Sequence, residues 1–214
     1  MITRQSIINR VRFLIAERDP DNSFVYDPDI IEITNNILPT FSREIKLPRA
    51  NINITTIKST IEYEMEARVL DVLSVTYKQK LDYKDYNTYL LNKDEDGTFL
   101  QTPSEYYLRE GLNEIEEDTV MIVGLDPAPD GVYTLVANCV ILPNDFSGEA
   151  VQSIPYPTVT LLALCYKICQ DLMIGDNKPE MSELYRSLYE DEKTRIKNFL
   201  NGRTISYVTE GRHA

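Results

Sequence analysis

The apolar positions of this chain change period twice. In residues 3–18, Ile7, Ile8, Val11, Leu14 and Ile15 recur three and four apart, which puts them on one face of a helix. Asp27-Pro28 reads as a helix start, because the carboxylate can accept from free first-turn amides and proline there gives up no needed donor. The second helix then runs over about 28–46 with Ile30, Ile33, Ile37 and Phe41 inward. Pro39 is expected to kink or break it, since its ring lacks a donor and crowds the preceding turn.

From about residue 47 the period falls to two. INITTIKSTIEY, VLDVLSVTYKQ, YYLREG, TVMIVGL and VYTLVANCVIL alternate and are rich in β-branched residues, as half-buried strands are. DYKDYNTYLL (82–91) reads as a short helix among them. Helical spacing returns after Pro155 and Pro157, with Val159, Leu162, Ala163, Tyr166 and Cys169 on one face and Gly175 as a left-handed stop. A last helix opens at Asn177 to Pro179, carries Met181, Leu184, Tyr185, Leu188, Ile196 and Leu200, and ends at Asn201-Gly202. The remaining RTISYVTEGRHA alternates like a strand.

Neither helical pair can bury its apolar face well alone, so the two are expected to pack together with the β-rich segment projecting from them. The expected class is α+β: a four-helix core of two N-terminal and two C-terminal helices, an inserted antiparallel β-rich domain, and an extended C-terminal tail. The boundaries are 1–46 for the N-terminal helical pair, 47–145 for the insert, 146–202 for the C-terminal pair and 203–214 for the tail.

Charge and composition narrow the function. The 214 residues carry a net charge of -12, and the acids concentrate between 82 and 126. Asp82, Asp85, Asp94, Glu95, Asp96, Glu105, Glu110, Glu114, Glu116, Glu117, Asp118 and Asp126 face only Lys84, Lys93 and Arg109 there. Such a surface repels phosphate, which argues against tight non-specific nucleic-acid binding but not against the enclosing of DNA without gripping it. The most apolar long segment, 158–175, is interrupted by Lys167, Gln170 and Asp171, so no membrane span is expected. Cys139, Cys165 and Cys169 form no CxxC pair and read as core thiols, consistent with a reducing compartment.

The chemistry expected of an enzyme is scarce. The single histidine, His213, sits one residue from the end, which argues against a histidine-based triad. There is no GxxxxGK[ST] and no GxGxxG after a strand, and the thiols and imidazole lack zinc spacing. Asn92, Asp94, Asp96 and Gly97 mimic the first half of a calcium loop, but Pro103 stands where the bidentate glutamate belongs and Glu105 falls two residues late. No cofactor and no metal are expected. Glu105, Glu110, Glu114, Glu116 and Glu117 leave open a two-carboxylate glycan hydrolase, which needs only two acids at the right separation. Fourteen tyrosines, among them Tyr77, Tyr83, Tyr86, Tyr89, Tyr106 and Tyr107, fit either strand-face packing or a protein interface.

The most distinctive stretch, DPAPDG (126–131), lies between two alternating runs. Its prolines preset turns, its aspartates bond back to nearby amides, and Gly131 allows a positive φ. Asp126, Pro127, Pro129, Asp130 and Gly131 therefore read as the turn of a hairpin rather than as an acid pair.

The order of short motifs carries a resemblance. D-P-D-I-I-E-I-T-N (27–35), P-x-x-Y-Y (103–107), L-D-P-A-P-D-G-V-Y-T-L (125–135), L-P (142–143) and P-Y-P (155–157) opening an apolar helix resemble the head-to-tail adaptor (connector) proteins of tailed bacteriophages, over about residues 1–200. The resemblance implies a non-enzymatic structural protein of the virion, assembled in the host cytoplasm. It implies a homo-oligomeric, dodecameric ring docked on the portal protein, joining capsid to tail proteins, through which double-stranded DNA passes without specific binding. Pro103, Tyr106, Pro127, Pro129, Gly131, Tyr133 and Pro143 would be structural positions of the insert. The tail from Arg203 would reach the portal, with Ile205, Tyr207 and Val208 adding a strand to a sheet edge. Asp94, Glu95, Asp96, Glu114, Glu116, Glu117 and Asp118 would line the channel or face tail proteins. A glycan hydrolase of the virion and a soluble interaction domain outside any virion are the other readings.

Overall fold

The structure, a computed structural model, describes residues 1–18, 25–92, 100–113, 118–146 and 153–210. The fold is mixed α+β and divides into two units: Met1–Ile45 with Pro143–Ala214, and Lys46–Leu142.

The first unit holds a two-residue strand β1 (Ile2–Thr3) and the helices α1 (Arg4–Arg18) and α2 (Asp27–Ile45). The Arg12 guanidinium lies 2.6 Å from the Asp27 carboxylate, so the first residue of α2 ties that helix to α1. Pro39 does not break α2, which continues to Ile45. Burial outweighs the lost hydrogen bond: Ile37, Leu38, Phe41 and Ile45 on both sides of the proline are all buried.

The C-terminal half of this unit begins at β12 (Ser153–Ile154), which pairs antiparallel with β1. A 3-10 turn at Thr158–Thr160 leads into α4 (Leu161–Gly175). By length and composition Thr158–Gly175 is apolar enough to cross a membrane. In this unit, however, α4 packs against α1, α2 and the last helix α5 (Pro179–Glu210), burying Ala163, Leu164, Cys165, Ile168, Cys169 and Met173. Two turn expectations shift here. Gly175 stays helical without a left-handed φ, and Asn177 takes that conformation at φ 56°. Asparagine tolerates it through its short polar side chain. The expected stop at Asn201-Gly202 is also corrected, since α5 runs on to Glu210. Residues 203–210 are helical rather than an extended strand, because a helix already formed propagates at little cost per residue.

Tyrosine hydroxyls anchor this unit from within. Tyr185 donates to the Leu14 carbonyl at 2.9 Å, and the Tyr156 hydroxyl lies 2.5 Å from that of Ser42, which in turn bonds to the Leu38 carbonyl. Tyr189 and Lys193 both donate to Glu44, at 2.9 and 2.7 Å. Burial opposes ionisation of Glu44, yet these two bonds and the Lys193 charge hold its carboxyl below the ordinary 4.5.

The second unit is built from two four-stranded sheets. One has the order β2 (Arg49–Thr55), β11 (Thr134–Ile141), β4 (Val69–Tyr77), β5 (Gln79–Lys80). The other has the order β3 (Glu62–Glu64), β9 (Asp118–Asp126), β8 (Glu105–Asn113), β6 (Asp82–Tyr83). A short helix α3 (Tyr86–Asn92) and a parallel pair of β7 (Leu100–Gln101) with β10 (Ala128–Pro129) complete it. The strands are not uniformly antiparallel, because β6 also runs parallel to β8. Period-two alternation explains the shared core. Leu135, Ala137 and Cys139 of β11 meet Val72 and Val75 of β4 and, from the other sheet, Tyr106, Val123 and Leu125. β4 carries two bulges against β11: the register steps from Ser74 to Val72 and from Asp71 to Val69, leaving Leu73 and Leu70 unopposed. Such insertions bend a strand and increase its twist.

Candidate interaction surface

DPAPDG is not a hairpin turn. β9 pairs with β3 and β8, whereas β11 pairs with β2 and β4, so the segment carries the chain from one sheet to the other. Its residues are held by partners far away in sequence. The Asp126 carboxylate and that of Glu105 each lie 2.9 Å from the Lys84 ammonium. Hydrogen bonds that Lys84 donates, first to Asp126 and then to Glu105, raise its pKa, so the lysine stays cationic between them. The Asp126–Pro127 bond is cis, and Ala128 and Pro129 are buried beside β7. Asp130 accepts from the Tyr133 hydroxyl. Gly131 does not adopt a positive φ; its carbonyl accepts from the fully buried Thr56 hydroxyl at 3.0 Å, and that oxygen accepts from the Tyr133 amide at 2.8 Å. Nothing local in the sequence marks Thr56, or the cation Lys84, for these contacts.

A tyrosine layer covers the outer face of the β8/β9 sheet. Tyr107 of β8 stands opposite Gly124 of β9 and lays its ring over it; a Cβ on Gly124 would meet the Tyr107 ring at 1.9 Å. Tyr89 of α3 stacks on the same ring at 4.2 Å, and Tyr86 follows at 5.3 Å. Beside them Arg109 grips Glu62 with two hydrogen bonds of 2.8 and 2.5 Å, while the Tyr107 hydroxyl donates to the same carboxylate at 3.0 Å. Burial and the adjacent Glu62 charge push the Tyr107 hydroxyl far above its ordinary pKa. Tyr106 points the other way into the core and meets exposed Tyr83 edge-on at 5.6 Å. The tyrosines of this unit thus serve packing and surface together. Leu90 and Leu91 of α3 and Leu112 of β8 add exposed apolar positions.

The remaining expected residues divide cleanly. Asp94, Glu95, Asp96, Glu114, Glu116 and Glu117 lie outside the described residues, as do positions 93–99 of the calcium-like loop and His213. Asp118 opens β9 opposite Asn113. Arg203, Ile205, Tyr207 and Val208 fall on the final turns of α5. Among the described residues no His/Cys/Asp/Glu group is arranged to hold a metal. All three thiols are buried and unpaired, and burial raises Cys139 to about 11 and Cys165 to about 12. One cleft of the β unit is lined by Tyr77, Lys78, Lys80, Thr102 and Tyr133.

The class defined by these features is an α+β chain of one helix-rich unit and one two-sheet unit. Compared with known proteins, it matches no family model and no curated protein.

Proposed function

We propose that the chain is a non-enzymatic connector subunit of a tailed bacteriophage virion, forming a ring that docks on the portal protein and joins capsid to tail. In this reading α1, α2, α4 and α5 form one helical core, and residues 46–142 are a β-rich domain inserted into it. One observation carries the proposal: the residues that bear the resemblance are spent on architecture. Pro103, Tyr106, Tyr107, Pro129, Pro143 and Tyr156 are buried, and Asp126 is committed to Lys84. The chain's most distinctive sequence braces two sheets and leaves the outer faces for assembly.

The electrostatics support passage of DNA without capture. Glu64, Glu66, Asp82, Asp85 and Glu110 are exposed, and acidic walls repel phosphate at short range. In this reading Asp94, Glu95, Asp96, Glu114, Glu116, Glu117 and Asp118 are assigned, from the sequence, to the channel or the tail proteins. The segment from Arg203 to Val208, as the end of a long helix, is the portal-facing element. The hydrolase reading loses ground because Glu105, one of its candidate acids, shares Lys84 with Asp126.

The test is to mix the purified chain with the portal ring encoded beside it, separate complexes by size, and image them. Closed rings stacked coaxially on the portal are expected. A chain that stays free of the portal at high concentration overturns the proposal.

A further inference from the structure

The two sheets of the β unit run in step. Residues 56–61 link β2 to β3 at one side, and Leu81 alone links β5 to β6 at the other. Among the described residues the two sheets end in four edge strands, β2 and β3 on the first side and β5 and β6 on the second; the β2 edge and the β8 edge beyond β6 are unlike.

On the first side, β2 pairs with β11 over seven residues without a register shift. The flanking bonds, Thr56 amide to Tyr133 carbonyl at 2.8 Å and Ile141 amide to Pro48 carbonyl at 3.0 Å, fix the phase of the ladder. Even-numbered residues 48–56 direct their backbone groups at β11, so Arg49, Asn51, Asn53 and Thr55 direct theirs outward. Among the described residues no strand lies on that side. The edge has no bulge, no internal proline and one terminal charge, and so lacks the usual protections against pairing.

On the second side, β6 covers β8 only at Glu105 and Tyr106. The Lys84 amide bonds to the Tyr106 carbonyl at 2.8 Å, so even-numbered residues of β8 face away from β9. Beyond β6 these are Leu108, Glu110 and Leu112, and Leu112 is 64% exposed.

The geometry points to a second copy of this chain as the occupant of the β2 edge, through its own β8. Antiparallel pairing sets Arg49 opposite Leu112, Asn51 opposite Glu110 and Asn53 opposite Leu108. Arg49 then lies diagonal to the neighbour's Glu110, within reach of a cross-strand ion pair. Two unlike edges on opposite sides make a heterologous contact, the kind that closes into rings or runs on as filaments. The inference rests on the connector reading for its biological role, and names the contact that would hold neighbouring subunits together.

Asn53→Pro tests it in the full chain. Proline there removes only an outward-facing amide, so the β2–β11 ladder survives. Self-association is followed by sedimentation velocity over a wide concentration range, with the melting curve as the folding control. At least a tenfold weakening is expected for Asn53→Pro, and a similar loss for Arg49→Glu or Glu110→Arg alone. The double variant Arg49→Glu/Glu110→Arg is expected to recover. Amide exchange at Asn51, Asn53 and Leu112 should slow on assembly. Rings that form on the portal equally well with Asn53→Pro overturn the edge contact and leave the connector reading standing. A wild-type chain that is monomeric both alone and on the portal overturns both.

Discussion

The two units handle their polar groups in opposite ways. In the helix-rich unit, hydroxyls turn inward: Tyr185 bonds to Leu14, Tyr156 to Ser42, and Tyr189 to Glu44. In the β unit, aromatic and charged groups are laid over an outer sheet face, in the buried Tyr107–Tyr89 stack and the half-buried Arg109–Glu62 pair, and among the described residues both sheets end in open edge strands. The difference follows from secondary structure. A helix satisfies its interior backbone groups within itself, whereas an open sheet ends in strands with donors and acceptors to place along their whole length. In the connector reading proposed above, the helix-rich unit is the scaffold and the unit with open edges is the one that assembles.

The strongest way to break the contrast is Gly124→Ala. Its Cβ would collide with Tyr107, whose ring is pinned by Tyr89, so a loss of about 3 kcal/mol is expected from overpacking. Chemical denaturation read by tyrosine fluorescence checks this, and an unchanged midpoint would contradict the stacked geometry. Glu44→Gln addresses the inward-facing unit and should cost about 1 kcal/mol at neutral pH. Because the Glu44 pKa is lowered on folding, its contribution is fully present above the ordinary 4.5. It is lost as pH falls through the lowered value, so wild-type and variant melting curves should converge in acid. Lys84→Met leaves Glu105 and Asp126 facing each other. Solvent screening at this partly exposed site limits the effect to about 0.5 kcal/mol, measurable as a small shift in denaturation midpoint that salt reduces. Thiol labelling marks the smallest effect. Cys139, Cys165 and Cys169 should react with a disulfide reagent only after unfolding, since burial suppresses the thiolate.

The contrast also explains what could be read from the sequence. Helical faces are local, and Ile7, Val11, Leu14 and Phe41 are buried as their spacing predicts. Strand positions were legible for the same reason, but strand partners were not. TVMIVGL and VYTLVANCV, separated by DPAPDG, have the local look of a hairpin. Their pairing is decided by groups with no sequence proximity: Lys84 holds Asp126 from 42 residues away, and Thr56 holds Gly131 from 75. The tail misled in the opposite sense. Ile205, Tyr207 and Val208 alternate like a strand, yet a helix arriving from Pro179 carries them onward, and Gly202 costs only about 1 kcal/mol against that propagation. Of the expected surface residues, Arg203 to Val208 kept their place in the chain and changed their backbone, while the Glu62–Arg109–Tyr107 cluster emerged only from cross-strand register.

The most direct test of the central claim is to produce phage particles with this chain deleted and image them beside complemented ones. The account predicts heads that carry a portal but no attached tail, with normal particles restored by the intact chain. Deletion particles with tails attached and full infectivity would contradict it.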